Sequence, residues 1–320
     1  MLITANDIQA AADRIHTYLR PTPMIRSEYY SSKTSANVFL KLEIFQPTHS
    51  FKVRGALNAI LLLPEEQRRK GVITASQGNH GLGVIFAAKT LGIKAAVYLG
   101  KLTAKSRIQS LEALGAEVVL YGDSWDEANH RAMEVAANEG KAYIHPFNDP
   151  NVMAGQASIF LELMTQMPSI DVVIASIGGG GLISGIISAA QHFSPSTQVI
   201  GVETIGADSM SQSRLAGQIV ELPAITSIAT SLGARRTEQP QFDFVTRNAA
   251  DLVTVSDAMA VQAMTELLQE EKLLVEPAAS CTLAALTQGK IQVKPNSNIA
   301  VVLCGANIAL DNLLEWMKPA

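Results

Sequence analysis

Two stretches of this chain carry residue types and spacings that could do chemistry. The first is Ser50-Phe51-Lys52-Val53-Arg54-Gly55-Ala56, which follows Pro47 and a Thr48/His49/Ser50 cluster that would end the preceding strand. Ser50 is placed to cap the next helix. Lys52 then stands in a first helical turn, where the positive helix end disfavours an ammonium ion. A lysine with a depressed pKa is a Schiff-base nucleophile; the plain alternative is a surface lysine. The second stretch is Ser176-Ile177-Gly178-Gly179-Gly180-Gly181-Leu182, between an apolar strand and a helix. Glycines there let backbone N–H groups converge, and the helix start adds partial positive charge, which together suit a phosphate. A tight turn needing positive φ is the bland alternative. A nicotinamide dinucleotide site is the rival, because Glu203 ends the next strand about twenty residues on. A G-x-G-x-x-G run from Gly178 nevertheless finds Ile183 at its last position, and no Gly-Lys-Ser/Thr follows for a P-loop. The phosphate is therefore assigned to a smaller cofactor.

These stretches need a scaffold, and the apolar pattern describes one. Nearly continuous β-branched runs fall at 38–42, 72–75, 95–99, 118–121, 172–177, 199–202, 252–255 and 299–303. Stretches with apolar residues three and four apart lie between them, at 80–91, 106–114, 124–139, 182–191 and 258–271. Alternation of this kind implies an α/β fold of two open, twisted, mainly parallel sheets covered by helices on both faces. Residues 50–144 form a smaller block, and 1–49 with 145–320 a larger one. No Pro/Gly/Ser linker separates them, which places the break in a cleft outside the carboxyl ends of the strands.

Composition removes other classes. Of the 320 residues 48% are hydrophobic and 17% charged, enough for a large core, so the chain is not disordered. A net charge of −4 argues against nucleic acid as a partner. The two cysteines, Cys281 and Cys304, are too few for a disulfide scaffold or a thiolate zinc site. The uncharged run at 172–190 is long enough to span a bilayer, but four glycines interrupt it, so it reads as strand, loop and helix and not as a membrane partner. The first twenty residues contain Asp7 and Asp13 and no basic start, unlike a signal peptide. A soluble cytoplasmic protein is expected.

Six motifs in order carry a family resemblance. They are Ser50-Phe51-Lys52-Val53-Arg54-Gly55-Ala56, Ala75-Ser76-Gln77-Gly78-Asn79-His80-Gly81, and His145-Pro146-Phe147 with Ala154-Gly155-Gln156. After them come the Gly178-to-Leu182 loop, Val275-Glu276-Pro277-Ala278-Ala279 and Val302-Leu303-Cys304-Gly305-Ala306-Asn307. The chain resembles the fold-type II pyridoxal-phosphate enzymes (the tryptophan synthase β-like fold), and among them the threonine/serine dehydratase and serine racemase group.

The resemblance implies roles. Lys52 would bind pyridoxal 5'-phosphate covalently and, once freed by the substrate, take its α-proton. Gly178, Gly179, Gly180, Gly181 and Leu182 would cradle the phosphate, Phe51 would pack beside the ring, and Asn79 would bond the ring hydroxyl. Cys304 would face the pyridine nitrogen, where a neutral thiol stabilises less charge than a carboxylate and so favours β-elimination. Glu276 is either near the ring or a helix N-terminal acid before Pro277. Ser76, Gln77, Asn79 and His80 would border the substrate carboxylate; His80 is alternatively a helix-start histidine bonded to backbone. The implied reaction turns a 3-hydroxy amino acid, by default L-threonine or L-serine, into a 2-oxo acid and ammonia. The group's members are commonly homodimers.

Departures from the group's pattern mark expectations of their own. Gln77 stands where racemases carry a serine as acid or base on the opposite ring face, and an amide exchanges no proton at neutral pH. Weak racemisation is expected. Glu203, Ala207 and Ser209 match the divalent-cation loop incompletely, Ser209 replacing an aspartate, so Mg²⁺ or Ca²⁺ is a conditional expectation. The loop Ser227-Ile228-Ala229-Thr230-Ser231-Leu232-Gly233-Ala234-Arg235-Arg236 also departs. It could admit a phenyl group or a second carboxylate, with Arg235 and Arg236 as its partners. Phenylserine dehydratase, 3-hydroxyaspartate ammonia-lyase and serine racemase are thus alternatives on the same fold. A nicotinamide-dependent dehydrogenase and a cofactor-binding protein without turnover are alternatives outside it. No C-terminal segment fits an allosteric domain, so feedback by isoleucine is not expected.

Overall fold

The computed structural model describes residues 2–318 except 168 and 317. Its strands in chain order are β1 (Met24–Arg26), β2 (Asn37–Leu42), β3 (Val72–Thr74), β4 (Ala95–Leu99), β5 (Glu117–Leu120), β6 (Ala142–Tyr143), β7 (Val172–Ser176), β8 (Gln198–Thr204), β9 (Asp251–Val255) and β10 (Asn298–Leu303). They form a six-stranded sheet, β1-β2-β10-β7-β8-β9, and a four-stranded sheet, β5-β4-β3-β6. Every paired neighbour is parallel except β1 with β2. The expected class, two mainly parallel sheets with flanking helices, is the class observed.

The register sets where the chemistry falls. Leu303 of β10 pairs with Leu42 of β2, and Val301 pairs with Ile174 of β7. The carboxyl ends of these three strands therefore meet at one rim, with Glu43, Cys304 and Ile177 next along the chain. All five residues of β7 are buried, as are all of β10 except Asn298. That explains apolar runs without alternation. The uncharged run divides as expected into β7, a glycine loop and the helix Gly181–Phe193. Among the described residues no helix is long and apolar enough to cross a membrane.

Two features fasten the helix Lys52–Leu61, which begins with the candidate nucleophile. It crosses the helix Pro150–Gln166 at two glycines. A Cβ on Gly55 would lie 2.6 Å from Val152 O, and one on Gly155 would lie 2.6 Å from Gly55 Cα, so any larger residue would force the backbones apart. Arg54, on the same helix, enters a buried ion network. Its guanidinium donates to Glu43 at 2.7 and 2.8 Å and to Glu162 at 2.6 and 2.8 Å. Lys41 Nζ donates to Glu162 at 2.6 Å and to Thr22 O at 2.7 Å. None of these four charged residues is more than 3% exposed, so each depends on the others for solvation.

Candidate active site

Ser50 does not cap the lysine helix. Its backbone is in an isolated bridge with Gly305, and its hydroxyl has no partner among the described residues. The chain is still bonded to the end of β10 when the helix starts, Phe51 N donating to Cys304 O at 3.0 Å. Phe51 therefore occupies the capping position, with no side-chain cap. Lys52 is the first helical residue. Its Nζ donates to Pro146 O at 2.8 Å, and burial pushes the ammonium down to about 8. An amine so placed gives up its proton near neutral pH, as a nucleophile or base must.

Pro146 is itself held in a stiff turn. His145 Nδ1 accepts from Phe147 N at 3.2 Å and from Asn148 N at 2.8 Å. Burial, helped by nearby Lys52, pulls His145 down to about 4. The ring is therefore neutral and serves as an acceptor. Phe147 packs under the glycine loop: a Cβ on Gly179 would lie 2.2 Å from its ring. Gly180 takes φ +93°, where side chains are strained. The loop thus has glycines for contact and for conformation, and it delivers the first N–H groups of helix Gly181–Phe193, which have no acceptor within their own helix.

The lysine and the loop line one cleft. Phe51, Asn79, Leu182, Glu276 and Cys304 line it too, together with Phe147, Ser176, Ser231, Leu232 and Ala278. Asn79 Nδ2 donates to both oxygens of Glu276, at 2.9 and 3.1 Å. Glu276 is the residue before helix Pro277–Thr287, as the helix-start reading expects, and it also lines the cleft. Burial raises its pKa, with Asn79 opposing. Burial pushes the Cys304 thiol up to about 12, and Ser176 Oγ donates to its sulfur at 3.4 Å. Cys304 is therefore a neutral thiol at physiological pH.

Other expected residues lie on the loop that leads directly into Asn79. Gln77 is exposed and Ser76 half-buried on the loop before helix Asn79–Thr90. The His80 ring has no proton to give a carboxylate, because its Nδ1, without a partner among the described residues, is the unprotonated nitrogen of a neutral ring. Nε2 bonds Ile144 O at 2.9 Å, and burial pulls the ring down to about 3. The backbone at that helix start is what His80 can offer.

The divalent-cation arrangement is not formed. Glu203 is 1% exposed and accepts from Met210 N at 3.0 Å, Ser211 N at 2.7 Å and Ser211 Oγ at 2.5 Å. It caps the helix Ser209–Ala216, and Ser209 Oγ is turned to Ala234 O at 3.0 Å. No group of three or more His, Cys, Asp or Glu among the described residues could hold a metal ion. The same capping bonds take Glu203 away from any ribose. Arg235 is likewise engaged, with Asp126 at 2.9 Å, Glu221 at 2.6 Å and Leu222 O at 2.9 Å. It is not free for a second substrate carboxylate.

A half-buried lysine sharing a cleft with a glycine loop at the rim of a parallel sheet defines an enzyme class that binds a phosphorylated carbonyl cofactor. Residues 15–305 match the family of pyridoxal-phosphate dependent enzymes, and the chain belongs to that family. It is 36% identical over 307 residues to the L-threonine ammonia-lyase of Thermotoga maritima, covering 96% of this chain and 76% of that one. To the catabolic L-threonine dehydratase of Staphylococcus aureus it is 36% identical over 312 residues, covering 97% and 90%. The solved structure of maize serine racemase superposes with a TM-score of 0.93 at 33% identity, covering 99% of this chain and 97% of that one. The fold is thus that of the fold-type II enzymes, and the dehydrogenase reading is overturned. The site fits the family's cofactor: a cradle that Cβ atoms would fill, an amine near neutral pKa and an uncharged thiol share one cleft.

Proposed function

We propose that this chain is a pyridoxal-phosphate-dependent ammonia-lyase that dehydrates and deaminates a 3-hydroxy amino acid, L-threonine or L-serine by default, to a 2-oxo acid and ammonia. The observation that carries this reading is the shared cleft of Lys52 and the tetraglycine loop. When bound, pyridoxal phosphate supplies an aldehyde for the substrate amine and a sink for the electrons of the α-carbon. Lys52 anchors that group and, with its amine near neutral, takes the α-proton. The N–H groups at Gly178, Gly179, Gly180, Gly181 and Leu182 bind the phosphate. Asn79 would donate to the ring oxygen, Phe51 would pack beside the ring, and Cys304 would meet the ring nitrogen as a neutral thiol. Ser76 and the backbone at the start of helix Asn79–Thr90 would hold the substrate carboxylate.

A panel of 3-hydroxy amino acids scored for oxo-acid release tests this. Turnover of threonine or serine is expected. A coloured, loaded protein that releases no oxo acid from any member would leave only a binding protein. Gln77 faces solvent, so its replacement does not disturb packing. Gln77→Ser puts an exchangeable proton where the amide has none, and we expect racemisation relative to elimination to rise at least about tenfold. Chiral chromatography of recovered substrate against oxo-acid yield measures the ratio; an unchanged ratio removes Gln77 as the reason for weak racemisation.

A further inference from the structure

An asparagine amide has an accepting face and a donating face, and the face that Asn79 turns to the cleft decides what it can bind. A chain of hydrogen bonds sets that choice, and it starts at a main-chain oxygen that cannot donate. Asn307 Nδ2 donates to Thr48 O at 2.8 Å and to Asn79 Oδ1 at 2.6 Å. Asn79 Oδ1 is therefore turned to Asn307, and Asn79 Nδ2 to the two oxygens of Glu276 at 2.9 and 3.1 Å. Reversing the Asn79 amide would set its NH₂ against the NH₂ of Asn307. Reversing both amides would set the Asn307 oxygen against Thr48 O. The backbone thus fixes the direction of the whole chain, whichever protonation state Glu276 takes.

The main chain around these groups is held as well. Ala306 N donates to His49 O at 2.9 Å, and Glu276 N donates to Gly305 O at 3.0 Å. A Cβ on Gly305 would lie 2.9 Å from Glu276 Oε1 and 3.1 Å from Asn79 Nδ2, so glycine there leaves the pair its room. Both residues line the cleft, so the Asn79 amide presents its donating side there and not its oxygen. Asn307 does not line the cleft.

We propose that Asn307 is a positioning residue: it locks Asn79 as a donor, so that the cleft selects the cofactor's ring oxygen in its deprotonated form. This rests on the pyridoxal-phosphate reading above. Loss of the lock lets the amide turn its oxygen to the ring, exchanging a hydrogen bond for a repulsion.

The test loads wild type, Asn307→Asp and Asn307→Ala with pyridoxal phosphate and titrates the visible absorbance with pH. Aspartate keeps the size of the side chain and loses both donors; alanine removes the side chain. Each is expected to bind the cofactor about tenfold more weakly by equilibrium dialysis, the scale of one hydrogen bond to a charged group. The absorbance midpoint should move to higher pH by about one unit, because a ring oxygen without its donor favours any proton shared with it. Thermal unfolding and circular dichroism without cofactor should stay near wild type, which a merely structural role would not give. Folded variants with wild-type midpoint and affinity would overturn the role of Asn307 alone, and alanine decides the matter if aspartate does not fold. A wild type that takes up no pyridoxal phosphate would overturn the functional reading itself.

Discussion

Lys52→Ala is expected to lower turnover by at least about a thousandfold while leaving the protein folded. General-base transfer alone contributes about 10²–10⁴, and one group here serves as both anchor and base, so its loss removes both roles together. Folding is spared because the side chain makes one hydrogen bond, to Pro146 O, while Arg54 and the Gly55 crossing still hold the helix. Borohydride reduction followed by peptide mass analysis checks the anchor: wild type should carry the reduced cofactor on the peptide containing position 52, and the variant should carry none. Full residual activity would remove Lys52 from its role.

Arg54→Ala is expected to cost about 3–5 kcal/mol of stability at neutral pH, because it strands two buried carboxylates. The guanidinium is the shared donor of Glu43 and Glu162, and neither residue is more than 3% exposed. Lys41 alone cannot serve both, since its bonds go to Glu162, Thr22 O and Gln166. The pH dependence has a definite sign. Burial raises the Glu162 pKa, but Arg54 and Lys41 outweigh it and bring the carboxyl to about 2. An unfolded glutamate titrates near ~4.3. The wild-type contribution is therefore complete above that value and lost as the pH falls from it towards 2. In the variant burial holds the stranded carboxyls above the unfolded value, so the deficit against wild type should be largest at neutral pH and shrink as the pH falls and they take up protons. Urea unfolding at a series of pH values measures both effects; a variant as stable as wild type at pH 7 would mean that water reaches the carboxylates.

What was legible in the sequence was local. β7 and β10 announce themselves because both faces are buried, which makes them continuously apolar. The tetraglycine loop and Lys52 could be read because backbone freedom and a helix-start cation are properties of a few adjacent residues. β1 and β6, of three and two residues, are too short to show a period. Helix Pro150–Gln166 is hard to read because eleven of its residues are buried, which leaves little polar face to mark 3.6-residue spacing. Partnerships were the other gap. Ser50 looked like a cap until the main-chain bond to β10 took the chain elsewhere, and Glu203 looked like a ligand until the helix beginning at Ser209 folded back onto it. The union of Lys41, Glu43, Arg54 and Glu162 comes from segments far apart in the chain, and no spacing rule reveals it.

The fastening of the lysine helix has a mechanical consequence. Although that helix precedes the four-stranded sheet in the chain, Arg54 and the Gly55–Gly155 crossing clamp it to Glu43 and to helix Pro150–Gln166, beside the six-stranded sheet. The bond from Phe51 N to Cys304 O adds a further clamp. The same helix also packs Val53, Ala56, Leu57 and Ile60 into one core with Val72 and Ala95 of the four-stranded sheet. The reactive nitrogen is thus mounted on the beam that joins the two sheets, so a load on either one is passed to the reach between amine and phosphate cradle.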